Sequence, residues 1–176
     1  MKKIITGISI LLVSIFLIFC QNIHANDEIK TYTDITIENS TGFKSYMGHR
    51  AITKSDSKQG KLQKKCTTDK DGFRRCVDRY VIAVGTGVGG QIGDCVDLFL
   101  ENGEIIPCVI GDYKADKYTD SANIVGENGC CTEFIVDSYM LRSDIKRIGD
   151  VSHGYSGWDS PVVVIRRYIY NCLGGN

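Results

Sequence analysis

Apolar and polar positions along the chain alternate in short runs, with one exception. From Ile8 to Phe19 the chain is almost unbroken apolar, behind Lys2 and Lys3 and ahead of the polar Gln21, Asn22 and His24. A basic end, an apolar middle and the small residue Ala25 make the order of a secretory signal over residues 1–25. Cleavage after Ile23-His24-Ala25 leaves Asn26 at the mature terminus. The same stretch, if retained, is a membrane anchor; once it is removed, no other run is long enough to span a bilayer. Residues 26–45 are polar around a single alternating run, D-I-T-I-E at 34–38, and predict an extended N-terminal segment. Residues 46–176 predict a single domain.

Within that domain the period of two dominates. Extended runs fall at Tyr46 onward (Y-M-G-H-R-A-I-T), 80–84, 95–100, 104–110, 131–137 and 162–170. The polar S-D-S-K-Q-G-K-L-Q-K-K predicts a loop or single helical turn, and residues 138–150 a short helical turn. Many short strands separated by Gly and Asn turns, without sustained helical periodicity, predict a small barrel or sandwich.

Two hairpins are legible. In C-T-T-D-K-D-G-F-R-R-C a two-residue Asp71-Gly72 loop sets Cys66 opposite Val77. A three-residue loop, Lys70-Asp71-Gly72 with Gly72 left-handed, sets Cys66 opposite Cys76, close enough to bridge. That disulfide is expected. In the second hairpin a tight Asn102-Gly103 turn puts Glu101 across from Glu104, and Cys95 and Cys108 on one face as diagonal neighbours. Pro107 cannot donate to a ladder, and a bulge there brings Cys95 and Cys108 into bridging register.

Composition changes this picture in two respects. Basic and acidic residues are balanced at 21 each, and loss of Lys2 and Lys3 with the signal leaves 19 basic against 21 acidic, so nothing points to a nucleic-acid partner. Seven of the 8 cysteines lie beyond residue 25, and in an exported chain their default is disulfides. The odd number leaves at least one cysteine free or joined to an intermolecular disulfide partner, unless the signal is retained with Cys20. There is no C-x-x-C pair, and only His49 and His153 follow the signal, so no metal site is expected.

Gly85, Gly87 and Gly90 satisfy G-x-G-x-x-G after a strand, but a strand rather than a helix follows, which removes the anion-binding helix end that a dinucleotide needs. No cofactor is expected. The segment G-D-Y-K-A-D-K-Y-T-D spaces Asp112, Asp116 and Asp120 at intervals of four. Such carboxylates can supply a general acid to a glycosidic oxygen, hold Ca²⁺, or form a solvated loop balanced by Lys114 and Lys117. His153 near Ser156 lacks the G-x-S-x-G elbow of a serine hydrolase. Trp158, with Tyr155 nearby, is either a sugar-stacking ring or a core plug.

The stretches S-K-Q-G-K-L-Q (57–63), G-F-R-R (72–75), R-Y-V-I-A-V-G (79–85), I-G-D (92–94), L-E-N-G-E-I-I-P-C-V-I-G-D-Y-K-A-D-K-Y-T-D (100–120) and E-F-I-V-D (133–137) resemble a group of exported, phage- and mobile-element-associated bacterial proteins with double-psi β-barrels. That group is similar to the three-aspartate domain and to lytic transglycosylase barrels. The resemblance implies a mainly β fold, a small closed barrel of about six strands with N- and C-terminal extensions. It also implies a secreted or cell-wall-associated protein acting on peptidoglycan or another cell-surface glycan. Asp112 becomes the general acid, Asp116 and Asp120 supporting carboxylates, and Lys114, Gly87, Gly89 and Trp158 the groove that holds substrate. The chain departs from the pattern D-T-G-x-x-I-K-G after Asp112, and has Tyr118 where the closer group carries histidine. The alternative to an enzyme is a disulfide-stapled binding module at the cell surface.

Overall fold

The computed structural model describes residues 31–172, and the expected signal at 1–25 and the first part of the segment expected at 26–45 lie outside them. In chain order the elements are β1 (Tyr32–Thr36), β2 (Ser45–Gly48), α1 (Lys58–Lys65), β3 (Thr67–Thr68), β4 (Arg74–Cys76), β5 (Arg79–Val84), β6 (Asp94–Leu100), β7 (Ile105–Tyr113), β8 (Thr132–Val136), α2 (Ser143–Ile148) and β9 (Val162–Asn171). No helix among the described residues is long and apolar enough to cross a membrane.

The nine strands form one mixed sheet with the order β1-β9-β6-β7-β5-β4-β3, and with β8 joining β5 to β2. Pairing is antiparallel from β1 to β7, then parallel between β7 and β5. One edge of β5 is shared: its first residues pair with β4, and Ile82, Ala83 and Val84 pair with Phe134, Glu133 and Thr132 of β8. Parallel β2 extends that branch. β1 has β9 as its only partner in this order, and β3 has only β4, so the sheet is open at both ends. The closed barrel of about six strands, double-psi or otherwise, is overturned. Alternating patterns specify strands and their faces, but closure depends on which distant strands pair and with what stagger, and no local pattern encodes that.

Central strands are buried on both faces, so their sequences are continuously apolar. Val81, Ile82, Ala83 and Val84 of β5 and Phe134, Ile135 and Val136 of β8 are all 1% exposed or less. One face carries the larger core, in which Phe73, Ile82, Val96, Leu98, Ile106, Phe134 and Ile165 pack with Ile145 of α2. The other carries a smaller cluster, where Leu62 of α1 covers Cys66, Cys76, Val81, Val109 and Ile135. α1 is longer than the expected single turn. Ser57 caps it by accepting the Gly60 N–H at 3.1 Å, and Lys64 and Lys65 suit its carboxyl end. With Leu62 as its one buried apolar side chain, it leaves almost no periodic signal in the sequence.

Both hairpins use the same loop. Asp69 N–H bonds Phe73 O, and Leu100 N–H bonds Glu104 O, enclosing the three-residue loops 70–72 and 101–103. Each ends in a glycine with positive φ, Gly72 at 93° and Gly103 at 90°, where a side chain would be strained. The second hairpin was expected to turn on two residues, and that difference of one residue decides its cysteine chemistry.

A buried lysine ties the chain entry to its exit. Lys44 is 1% exposed, and its ammonium donates to the carbonyls of Gly42 at 3.1 Å, Ser160 at 2.9 Å and Trp158. Burial lowers its pKa, while the carbonyl cage satisfies its three donors.

Candidate functional site

The three aspartates do not converge. Asp112 lies within β7 rather than beyond it, and its Oδ1 accepts the Tyr113 N–H at 2.9 Å and a Gln59 Nε2–H at 3.3 Å. Asp116 accepts the Thr86 hydroxyl at 2.7 Å, and Asp120 folds back on its own loop, accepting the N–H groups of Ile124 at 2.9 Å and Val125 at 3.3 Å. The three carboxylates thus serve different segments, Asp112 reaching α1, Asp116 the 85–90 loop and Asp120 its own loop, and Asp116 and Asp120 are exposed. Among the described residues no three acidic, histidine or cysteine side chains gather as a metal site would require. Lys114 is committed to Cys130 O at 2.8 Å.

The glycines of the 85–90 loop are required by close packing. A Cβ on Gly87 would lie 1.9 Å from Ala122 O, and one on Gly89 would lie 2.4 Å from the Arg167 guanidinium. Trp158 belongs to the aromatic core, stacked on Phe134 at 5.4 Å and tilted against Tyr155 at 4.5 Å. An open sheet and dispersed carboxylates overturn the lytic transglycosylase reading.

Cysteine pairing also departs from expectation. Cys95 is bonded to Cys172, with Cα atoms 5.3 Å apart, and Cys108 is an unbonded, buried thiol. The three-residue hairpin loop sets Cys95 opposite Val109 and Val96 opposite Cys108, which sends the two expected partners to opposite faces of the sheet. On its own face Cys95 meets the end of β9, a partner 77 residues away that no local signal announces. Cys66 and Cys76 are unbonded and buried, although the register Thr67↔Arg75 and Thr68↔Arg74 sets them opposite each other. Cys130 and Cys131 are buried too: Cys130 accepts the Ser45 N–H at 3.2 Å and donates to Thr132 O at 2.6 Å. Burial pushes the Cys131 thiol up to about 12, and Cys108 is raised by the same cause. Every unbonded cysteine among the described residues is therefore inside, and none presents a thiol to a second chain.

One accessible surface is the half of the small-core face that α1 does not reach, on β1, β9 and β6. Here the outward residues alternate with core residues, and they are aromatic and charged. Arg166 lies 4.0 Å above the Tyr32 ring and 4.8 Å above Phe99, and its Nε and Nη2 reach the two oxygens of Asp34 at 2.7 and 2.8 Å. Tyr168 follows, edge-on to Tyr32 at 6.3 Å and 5.3 Å from Tyr170, which is 48% exposed. The Tyr168 hydroxyl donates to Asp97 at 2.6 Å, and Asp97 also pairs with Arg79 at 2.6 Å. Burial first, then the Asp97 carboxylate, pushes Tyr168 up to about 12. The result is a half-exposed ladder, Phe99, Arg166, Tyr32, Tyr168 and Tyr170, whose hydrogen bonds fix side-chain directions in advance.

The staple holds this ladder in place. Cys172 follows directly on β9, two residues after Tyr170, and its bond to Cys95 fastens the end of that strand to β6. Sequence reasoning passed over the ladder because its members are spread over three strands far apart in the chain; the alternation of R-R-Y-I-Y in the last strand was the available signal. No family model matches the chain, and neither does any curated protein, so the likeness to double-psi barrel proteins has no support beyond the short stretches that suggested it.

Proposed function

We propose that this chain is a non-enzymatic, disulfide-stapled binding module that works outside the cytoplasm, where the signal-like residues 1–25 deliver it. The observation that carries the reading is the Cys95–Cys172 bond, which serves a domain in an oxidising compartment and has little place in a reducing one. The surface it holds suits recognition. Aromatic rings offer rigid contact area at low entropic cost, and Arg79, Arg166, Asp34 and Asp97 set hydrogen-bonding groups between them. Flat aromatic faces beside charged hydrogen-bonding groups match a cell-surface glycan, which presents apolar sugar faces edged by hydroxyls.

The test is sedimentation with isolated cell-wall polymer under non-reducing conditions. The expected result is retention of the chain with no soluble fragments released, and retention weakened several-fold in Tyr170→Ala, on the order of 1 kcal/mol for an exposed aromatic contact. Equal recovery of parent and Tyr170→Ala in the unbound fraction overturns the assignment of partner and surface.

A further inference from the structure

We propose that Cys66 and Cys76 form a second cystine, made by thiol–disulfide exchange, that locks α1 to the β3–β4 hairpin. The hairpin register places the two residues directly opposite each other, in line with Thr67↔Arg75 and Thr68↔Arg74, and directly opposed residues have Cα separations within the range a disulfide spans. Both are buried, at 8% and 1% exposure, in the same small core, where the Cys66 thiol donates to Leu62 O at 3.1 Å and lies close enough to Cys76 for each to shift the other's pKa. The surrounding backbone is held for the purpose. Arg74 donates to Gln63 O at 2.6 Å, Cys66 O at 2.7 Å, Gln63 Oε1 at 3.1 Å and Thr68 Oγ1 at 2.8 Å, clamping the last turn of α1 to β4. Closing the bond asks for no rearrangement of strands.

The two thiols are not equivalent. The neighbouring Cys66 thiol holds the Cys76 thiol below its ordinary pKa, helped by Lys65 and Arg74, and the same proximity together with burial holds Cys66 above. The same cystine forms whichever thiol attacks first, and Cys76 has the more available anion in the folded chain. Its thiolate attacks one sulfur of a donor disulfide, forming a mixed disulfide and releasing one donor thiolate. The Cys66 thiol then loses its proton and attacks the Cys76 sulfur, forming the Cys66–Cys76 bond and releasing the second donor thiolate. Two electrons pass to the donor, both donor sulfurs leave as thiols once protonated, and the chain loses two hydrogen atoms. A low-molecular-weight disulfide is enough as oxidant, and the exchange takes place as the hairpin closes during folding, before α1 covers the pair.

The experiment is refolding of the reduced full chain with oxidised glutathione, followed by alkylation, tryptic digestion without reductant and mass spectrometry. Trypsin separates the cysteines into fragments 66–70 and 76–79. The expected product is these two fragments joined, two hydrogens lighter than their sum, and separated by reductant. Cys95–Cys172 in the same digest shows that oxidation was complete. Alkylated 66–70 and 76–79 recovered as separate fragments alongside an intact Cys95–Cys172 link overturns the proposal, as does a bond from either cysteine to any other. No partner takes part, so this result is independent of whether the ladder binds a glycan.

Discussion

The two halves of one sheet face are built on opposite principles. Under α1, Leu62, Val81, Val109 and Ile135 are 2% exposed or less, and the region holds by excluding water. Beyond α1, on β1, β9 and β6, the same face keeps rings and charges half in solvent and holds by cation–π contact, ion pairs and a covalent bond. The surface proposed for binding stays wet, so it cannot draw its rigidity from burial. The disulfide and the hydrogen-bonded charges supply that rigidity without covering the rings. The Cys95–Cys172 bond stands at the border, its Cys172 end packed against the small core, and it couples the two regimes.

The largest expected effect tests that coupling. Cys172→Ser opens a loop of 77 residues, which by chain entropy costs on the order of 4 kcal/mol in stability, read as a lower urea midpoint. The Arg166–Tyr32 end of the ladder is held by its own ion pair, so the loss should be felt first at Tyr168 and Tyr170, as faster amide exchange at the end of β9. Uniform loosening across both halves would show that the bond serves the whole sheet instead of the ladder.

Next in size is Leu62→Ala, which removes the lid of the small core and should cost roughly 2–5 kcal/mol. Binding at the ladder should persist at temperatures where the variant remains folded. A parallel loss of binding would mean that the covered half sets the geometry of the open one.

Tyr168→Phe is the smallest change, deleting only the hydroxyl bonded to Asp97, at about 1 kcal/mol. It carries a pH signature. The folded state holds Tyr168 above the ordinary tyrosine value near 10, up to about 12, so it favours the neutral phenol. Its contribution is complete below about pH 10 and is lost as pH rises through 12. Parent and Tyr168→Phe melting temperatures should therefore differ below pH 10 and converge toward pH 12, and a constant gap would remove the Tyr168–Asp97 bond as its source.

Much of the local structure was legible. The strands at 80–84, 95–100 and 162–170, the short helix after 138 and the left-handed Gly72 loop follow from alternation and turn chemistry, which act over a few residues. The register that opposes Cys66 and Cys76 was readable for the same reason, because one loop length decides it. The second hairpin shows how little margin that leaves: one additional loop residue turned Cys108 away from Cys95. α1 was read short because a helix held by Leu62 alone carries almost no periodicity.

The sequence by itself determined where strands begin and turn, which side chains alternate toward a core, and that the cysteines of a chain with a signal-like start are candidates for disulfides. Only the tertiary structure decided that β1 and β3 form the opposite edges of an open sheet, that Asp112, Asp116 and Asp120 bond to α1, the 85–90 loop and the loop of Asp120 itself respectively, and that Cys95 meets Cys172. The physical reason is range. Propensity and periodicity are properties of neighbours in sequence, whereas strand order, closure and the meeting of residues 77 apart depend on which distant surfaces bury each other.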